Sequence, residues 1–116
     1  MFIKILQIIA VIGTILTGLY SLVAPTQIEG FTGIRPIGGR GITEIRSIFG
    51  ALFIGLGVAA FILDKTVAYP MLGIMYLSIA AVRIISMFMD KSIEQSNLIS
   101  IAAEVIFGAI LMLKPE

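Results

Sequence analysis

The chain contains no cysteine and no histidine. Without cysteine there is no disulfide, no thiolate nucleophile and no thiolate-bound metal. Without histidine it lacks the commonest metal ligand and the usual general base near neutral pH. Charge is also scarce. Asp, Glu, Lys and Arg make up 13% of the 116 residues, about half the share found in a soluble domain. Eight basic residues nearly cancel seven acidic ones, leaving a formal net charge of +1. There is no basic tract and no charged tail, so no nucleic-acid partner is expected. No metal and no cofactor is expected either.

Apolar residues are plentiful. They form 59% of the chain, and the mean hydropathy is +1.10. A soluble fold this small leaves much of its surface in water and could not hide that much apolar area. Lipid removes the difficulty, because apolar side chains then face outward at no cost. The composition therefore predicts an all-α integral membrane protein.

Four apolar stretches are each long enough to cross a hydrocarbon core, which takes about 20 helical residues. Helices are expected at about 3–24, 42–63, 67–89 and 93–113. The first could be read as a signal peptide with Lys4 at its charged start. Its length, and the sequence Leu22-Val23-Ala24 with no small residue first, favour a retained helix. Pro25 ends it, and residues 25–41 read as a loop rich in glycine, with Gly30, Gly33, Gly38, Gly39 and Gly41. Asp64-Lys65-Thr66 and Asp90-Lys91 are tight polar turns. Pro70 fits the first turn of the third helix. Ser92 with Gln95 reads as a capping box for the fourth. Short turns make neighbours antiparallel, so one four-helix antiparallel bundle is expected over residues 1–116. Basic residues are spread too evenly over the two sides to orient it by the positive-inside rule.

The informative residues are charges inside the apolar stretches: Glu44, Arg46, Arg83 and Glu104. An isolated charge at the bilayer centre costs about 2.5–3.5 kcal/mol on insertion scales, so each needs a partner. Counting along the helices puts all four in the half of the membrane beneath the Gly-rich loop. Arg83 and Glu104 differ in depth by roughly 4–5 Å on a helical hairpin, a gap that an Arg side chain covers. They form the preferred ion pair. Glu44 and Arg46 are two apart and point in nearly opposite directions. Arg35 or Arg40 of the loop could fold over Glu44.

Small and polar residues recur with these charges at helical spacing. The expected stripes are Thr14, Thr17 and Ser21; Arg46, Gly50 and Gly57; Tyr76, Ala80 and Arg83; and Asn97, Ser100, Glu104 and Gly108. They should face one another and leave Leu, Ile and Phe to lipid. Ala51, Gly55 and Ala59 form a ladder of small residues, expected to pack within the chain. Gly38-Gly39-Arg40-Gly41 lacks the Lys of a phosphate-binding loop and the dinucleotide-binding pattern.

The run Gly39-Arg40-Gly41-Ile42-Thr43-Glu44-Ile45-Arg46-Ser47-Ile48-Phe49-Gly50-Ala51-Leu52 resembles the start of the second helix in a family of small bacterial membrane proteins, domain of unknown function 4345. Glu44-Ile45-Arg46 followed by Phe49-Gly50 is the most specific part. Arg83 and Glu104 match further polar positions. The resemblance implies four helices and a bacterial inner-membrane location, and it implies no activity. The layout is also similar to that of DoxX-like membrane proteins, at the level of fold alone.

Two functional readings compete with a purely structural role for the buried charges. In one, Arg83, Glu104, Arg46 and Glu44, with Arg40 and Arg35 from the loop, bind an anionic small molecule or a lipid head group. In the other, the protein is an accessory subunit of a larger membrane complex or forms a homo-oligomer. Proton or solute transport through Glu104 is weaker, since no broken helix or inverted repeat is visible. No catalytic residue is assigned.

Overall fold

The computed structural model describes residues 1–116, except for the side chain of Phe31. Four long apolar helices dominate it: α1 (Phe2–Val23), α2 (Gly38–Ile62), α3 (Lys65–Met89) and α4 (Gln95–Met112). No strand occurs among the described residues. At 1.5 Å per residue they run from about 27 to about 38 Å, enough to cross a bilayer.

Their surfaces are inverted relative to a soluble protein. On α1, Ile5, Ile9, Ile12, Leu16 and Leu19 are exposed, whereas Gln7, Thr14 and Ser21 are buried. Water would penalise that arrangement and lipid permits it. The chain is a multi-pass membrane protein with the four spanning helices from which a membrane four-helix bundle is made.

Contacts group the chain into two units, residues 1–10 with 63–116, and residues 11–62. In the first unit α3 and α4 form a tight hairpin. The buried face of α3 carries Tyr69, Leu72, Gly73, Tyr76, Ala80 and Met87, and that of α4 carries Glu104, Gly108 and Leu111. The helices cross at two glycines. A Cβ on Gly73 would lie 2.9 Å from the Gly108 carbonyl oxygen. Tyr76 and Phe107 stack edge to face beside the crossing, with ring centroids 5.7 Å apart. At the C-terminal end of α4 the buried Gln7 amide donates to the Ile110 and Leu113 carbonyls at 3.1 and 3.0 Å. A helix end leaves its last carbonyls without intrahelical partners, and here the side chain supplies one.

The turn between α2 and α3 is closed by Asp64, whose carboxylate accepts from the Thr66 N–H and hydroxyl at 3.0 and 2.8 Å. The backbone bond and then the hydroxyl bond hold this carboxyl below its ordinary pKa. Because α3 begins at Lys65, Pro70 stands in its second turn rather than its first. At the α3–α4 turn the expected capping box is not formed. Glu94 stands at the N-cap, and its side chain makes no capping hydrogen bond. Instead, the Asn97 amide reaches back to the Ser92 carbonyl at 2.8 Å.

In the second unit α1 meets α2 at Gly18, where a Cβ would lie 2.6 Å from the Gly50 carbonyl oxygen. The connection expected to be irregular holds a 3-10 turn (Pro25–Gln27) and one α-helical turn (Glu29–Thr32). Gly33 ends that turn at φ 73°, a left-handed conformation suited to glycine. α2 starts at Gly38, ahead of the expected residue 42.

Inside α2, residues Ile45–Ala51 form a π-helical segment in which the Leu52 N–H donates to the Ser47 carbonyl. This resets the helix face. With five residues per hydrogen-bonded step, Ile45 stacks over Gly50, so Ile45, Gly50, Gly57 and Ala60 are buried. Arg46, expected on that face, is exposed. Thr17 also turns outward, with its hydroxyl donating to the Gly13 carbonyl at 2.8 Å. The Ala51–Gly55–Ala59 ladder does not pack within the chain as expected: Ala51 and Gly55 are exposed, and nothing lies within 4 Å of a Cβ built on Gly55.

Gly73→Leu should force the hairpin apart and lower stability by about 1–3 kcal/mol. Gly55→Leu should be neutral or slightly stabilising, since glycine costs about 1 kcal/mol relative to alanine in a helix. Unfolding of the purified variants in detergent distinguishes them, and equal losses in both would refute the assigned crossing.

Candidate functional site

The site lies on the α3–α4 hairpin. Tyr76, Ala80, Arg83 and Met87 follow one another at spacings of four, three and four on the inner face of α3. Asn97, Glu104, Gly108 and Leu111 do the same on α4 at seven, four and three. Both patterns match the period of a helix, so each set shares a face. The close crossing at Gly73 and Gly108 brings these faces together, and the expected pair forms.

The Arg83 guanidinium grips Glu104 with two parallel bonds. Nε donates to Oε1 at 3.0 Å and Nη2 donates to Oε2 at 2.8 Å. This fork is the strong geometry for such a pair. A third bond runs from Nη1 to Asn97 Oδ1 at 3.0 Å. Asn97 in turn donates to the Ser92 carbonyl, tying the turn to the guanidinium. The Glu104 side chain is 11% exposed and that of Arg83 is 30% exposed. The carboxylate is thus enclosed while the guanidinium keeps one side open.

A guanidinium has five N–H donors. Three of Arg83's are used by Glu104 and Asn97. The remaining two N–H groups make no hydrogen bond among the described residues, and the part-exposed Arg83 side chain borders open space. That space is a groove of about 510 Å³ with Arg83 and Asn97 in its lining. Ser78, Ser86 and Ser92 supply hydroxyls, and Ile79 and Val82 supply an apolar wall. The Ser86 hydroxyl donates to Asp90 Oδ2 at 2.5 Å.

The other expected site residues belong to the second unit and form separate, exposed arrangements. Arg40 pairs with Glu44 one turn along α2. Arg35 forks onto Glu29 at 3.2 and 3.1 Å. The hydrogen bond and charge of Glu29 raise the Arg35 pKa above its ordinary value. Arg46 enters no ion pair among the described residues, because the π-helical segment turns it outward. Of the six expected residues, Arg83 and Glu104 meet directly, Arg40 meets Glu44, and Arg35 turns to a residue outside the set.

Asn97 and the three serines were not expected in the site. Asn97 was legible in principle, being two turns from Glu104 on the same face. The serines carry no such signal, since hydroxyls are common on membrane helices as packing groups. No cluster of three or more potential metal-ligating side chains occurs among the described residues.

The chain belongs to the family Domain of unknown function (DUF4345), whose model matches residues 2–114. No curated protein and no solved structure matches it.

Breaking the fork from either side should be severe. Arg83→Ala or Glu104→Ala leaves its partner uncompensated, at a cost of about 3 kcal/mol. Arg83→Met combined with Glu104→Leu removes both charges and should be close to neutral. Unfolding of the three variants in detergent checks this, and a double variant no more stable than the singles would show that the pair itself holds the hairpin.

Proposed function

We propose that the protein binds an anionic small molecule or a lipid head group in the Arg83 groove. The observation that carries this reading is the pair of guanidinium N–H donors left over after Glu104 and Asn97 are served. They lie in a groove with both hydroxyl and apolar lining, which fits a ligand having an oxygen-rich end. Preorganised donors bind more strongly than mobile ones, because no side-chain freedom is lost on binding. The resemblance to small bacterial membrane proteins supports an inner-membrane location.

The test is mass spectrometry of lipids and small molecules retained by the chain purified in mild detergent. The wild type should retain a species that the Arg83→Met/Glu104→Leu variant loses, with helical content unchanged. Equal retention by both would remove the proposal.

A second reading, an accessory subunit or a homo-oligomer, draws on the ladder at Ala51, Gly55 and Ala59. Such ladders let membrane helices approach closely, and this one leaves Gly55 uncovered within the chain. Native extracts in mild detergent should then contain a species larger than the monomer that Gly55→Leu dissociates. A monomer in native extracts argues against it.

A further inference from the structure

We infer that the occupant of the groove is a zwitterionic phospholipid with a primary ammonium, its phosphate on Arg83 and its ammonium at Asp90. The inference rests on the head-group form of the reading above and adds the charges the ligand must carry.

The first argument is electrostatic. Glu104 already neutralises Arg83 through the fork. The adjoining turn and the start of α4 add Asp90, Lys91 and Glu94. Together these are two cations and three anions, a net charge of −1. A ligand that brought only negative charge would meet an unfavourable field. One that also brings a cation would not.

The second argument is where that cation would sit. Asp90 Oδ2 accepts from Ser86, whose side chain lines the groove. Asp90 Oδ1 makes no hydrogen bond among the described residues, and Asp90 is exposed. A carboxylate oxygen is therefore open beside the groove. A primary ammonium can donate both to it and to the Ser86 oxygen. A quaternary ammonium cannot donate, and it is usually recognised by aromatic rings. Among the described residues no aromatic side chain lines the groove.

The third argument is order along the helix. Ile79, Val82, Arg83, Ser86 and Asp90 follow one another on α3 toward its end at Met89. In a phospholipid the acyl chains, the phosphate and the ammonium follow one another from the bilayer interior to its surface. The apolar wall, the guanidinium and the carboxylate repeat that order. Arg83 and Asp90 are separated by about 10 Å along the helix axis, and one guanidinium N–H group of Arg83 reaches toward the turn to Asn97. A soluble zwitterion would satisfy the two charged ends and leave the Ile79–Val82 wall unused.

The experiment uses the full chain in nanodiscs prepared from equal amounts of phosphatidylethanolamine, phosphatidylcholine and phosphatidylglycerol, followed by mass spectrometry of retained lipid. Wild type should enrich phosphatidylethanolamine over the other two by about two- to fivefold, the range of a single exposed charge pair. Asp90→Asn should abolish that enrichment over phosphatidylglycerol. Free phosphoethanolamine at equal concentration should not displace the lipid. If phosphatidylglycerol or phosphatidylcholine is retained as well as phosphatidylethanolamine, the inference is overturned. It is also overturned if enrichment survives in Asp90→Asn, or if free phosphoethanolamine competes as well as the lipid. In each of those cases retention that still disappears in Arg83→Met/Glu104→Leu leaves the head-group reading standing. Retention unchanged in that double variant overturns both.

Discussion

The hairpin of α3 and α4 is organised around one interaction, the fork between Arg83 and Glu104. Within a membrane neither charge is tolerable alone. Both are tolerable together only when the lone pairs and protons of the pair are accounted for. Both Glu104 oxygens accept from the guanidinium, and Asn97 takes a third donor. This requires the helix backbones to approach closely, which Gly73 and Gly108 allow. The polar contact and the glycine crossing are therefore one design. The glycines set the distance between the helices, and the fork sets their register.

The same logic governs the rest of the packing. Lipid gives apolar side chains no reason to turn inward, so helices associate through small residues and satisfied polar groups. Gln7 shows how far this goes. It is 1% exposed, a poor position for an amide in an apolar core. Yet its donors go to two carbonyls at the end of α4; that of Ile110 also accepts from the Leu113 N–H, and that of Leu113 has no other hydrogen bond among the described residues. Burying the amide thus satisfies one otherwise orphan acceptor, and an unpaired buried carbonyl costs about 1–3 kcal/mol.

Much of this was legible in the sequence, for identifiable reasons. Run length and hydropathy located the spans because bilayer thickness sets helix length. The Arg83–Glu104 pair followed from residue counting because a short turn makes depth a function of position. Arg46 was placed on the wrong face because a π-helical segment leaves no compositional mark, yet shifts every later residue in phase. Gly38-Gly39-Arg40-Gly41 read as loop because glycine disfavours helix, whereas the helix there begins at Gly38. Arg40 or Arg35 was expected over Glu44, and Arg40 takes that place while Arg35 turns to Glu29. In the fold each takes an acid within six residues, since a local partner requires less chain to be ordered.

The candidate site takes its character from what the fork leaves undone. An unpaired Arg at this depth would snorkel toward the head-group region and bind whatever anion it met. Arg83 cannot, because Glu104 and Asn97 hold three of its donors. In the proposed site Glu104 would act as a positioning residue: it would aim the remaining N–H groups at one place and cancel the charge that would make them unselective. What is left is directional hydrogen bonding to oxygen acceptors, with the long-range pull of the guanidinium charge reduced by its carboxylate partner. Discrimination must then come from the neighbouring groups, among them the open carboxylate oxygen of Asp90. A structural ion pair and a selective head-group site are accordingly not rival descriptions of Arg83, since the pairing is what makes selectivity physically available.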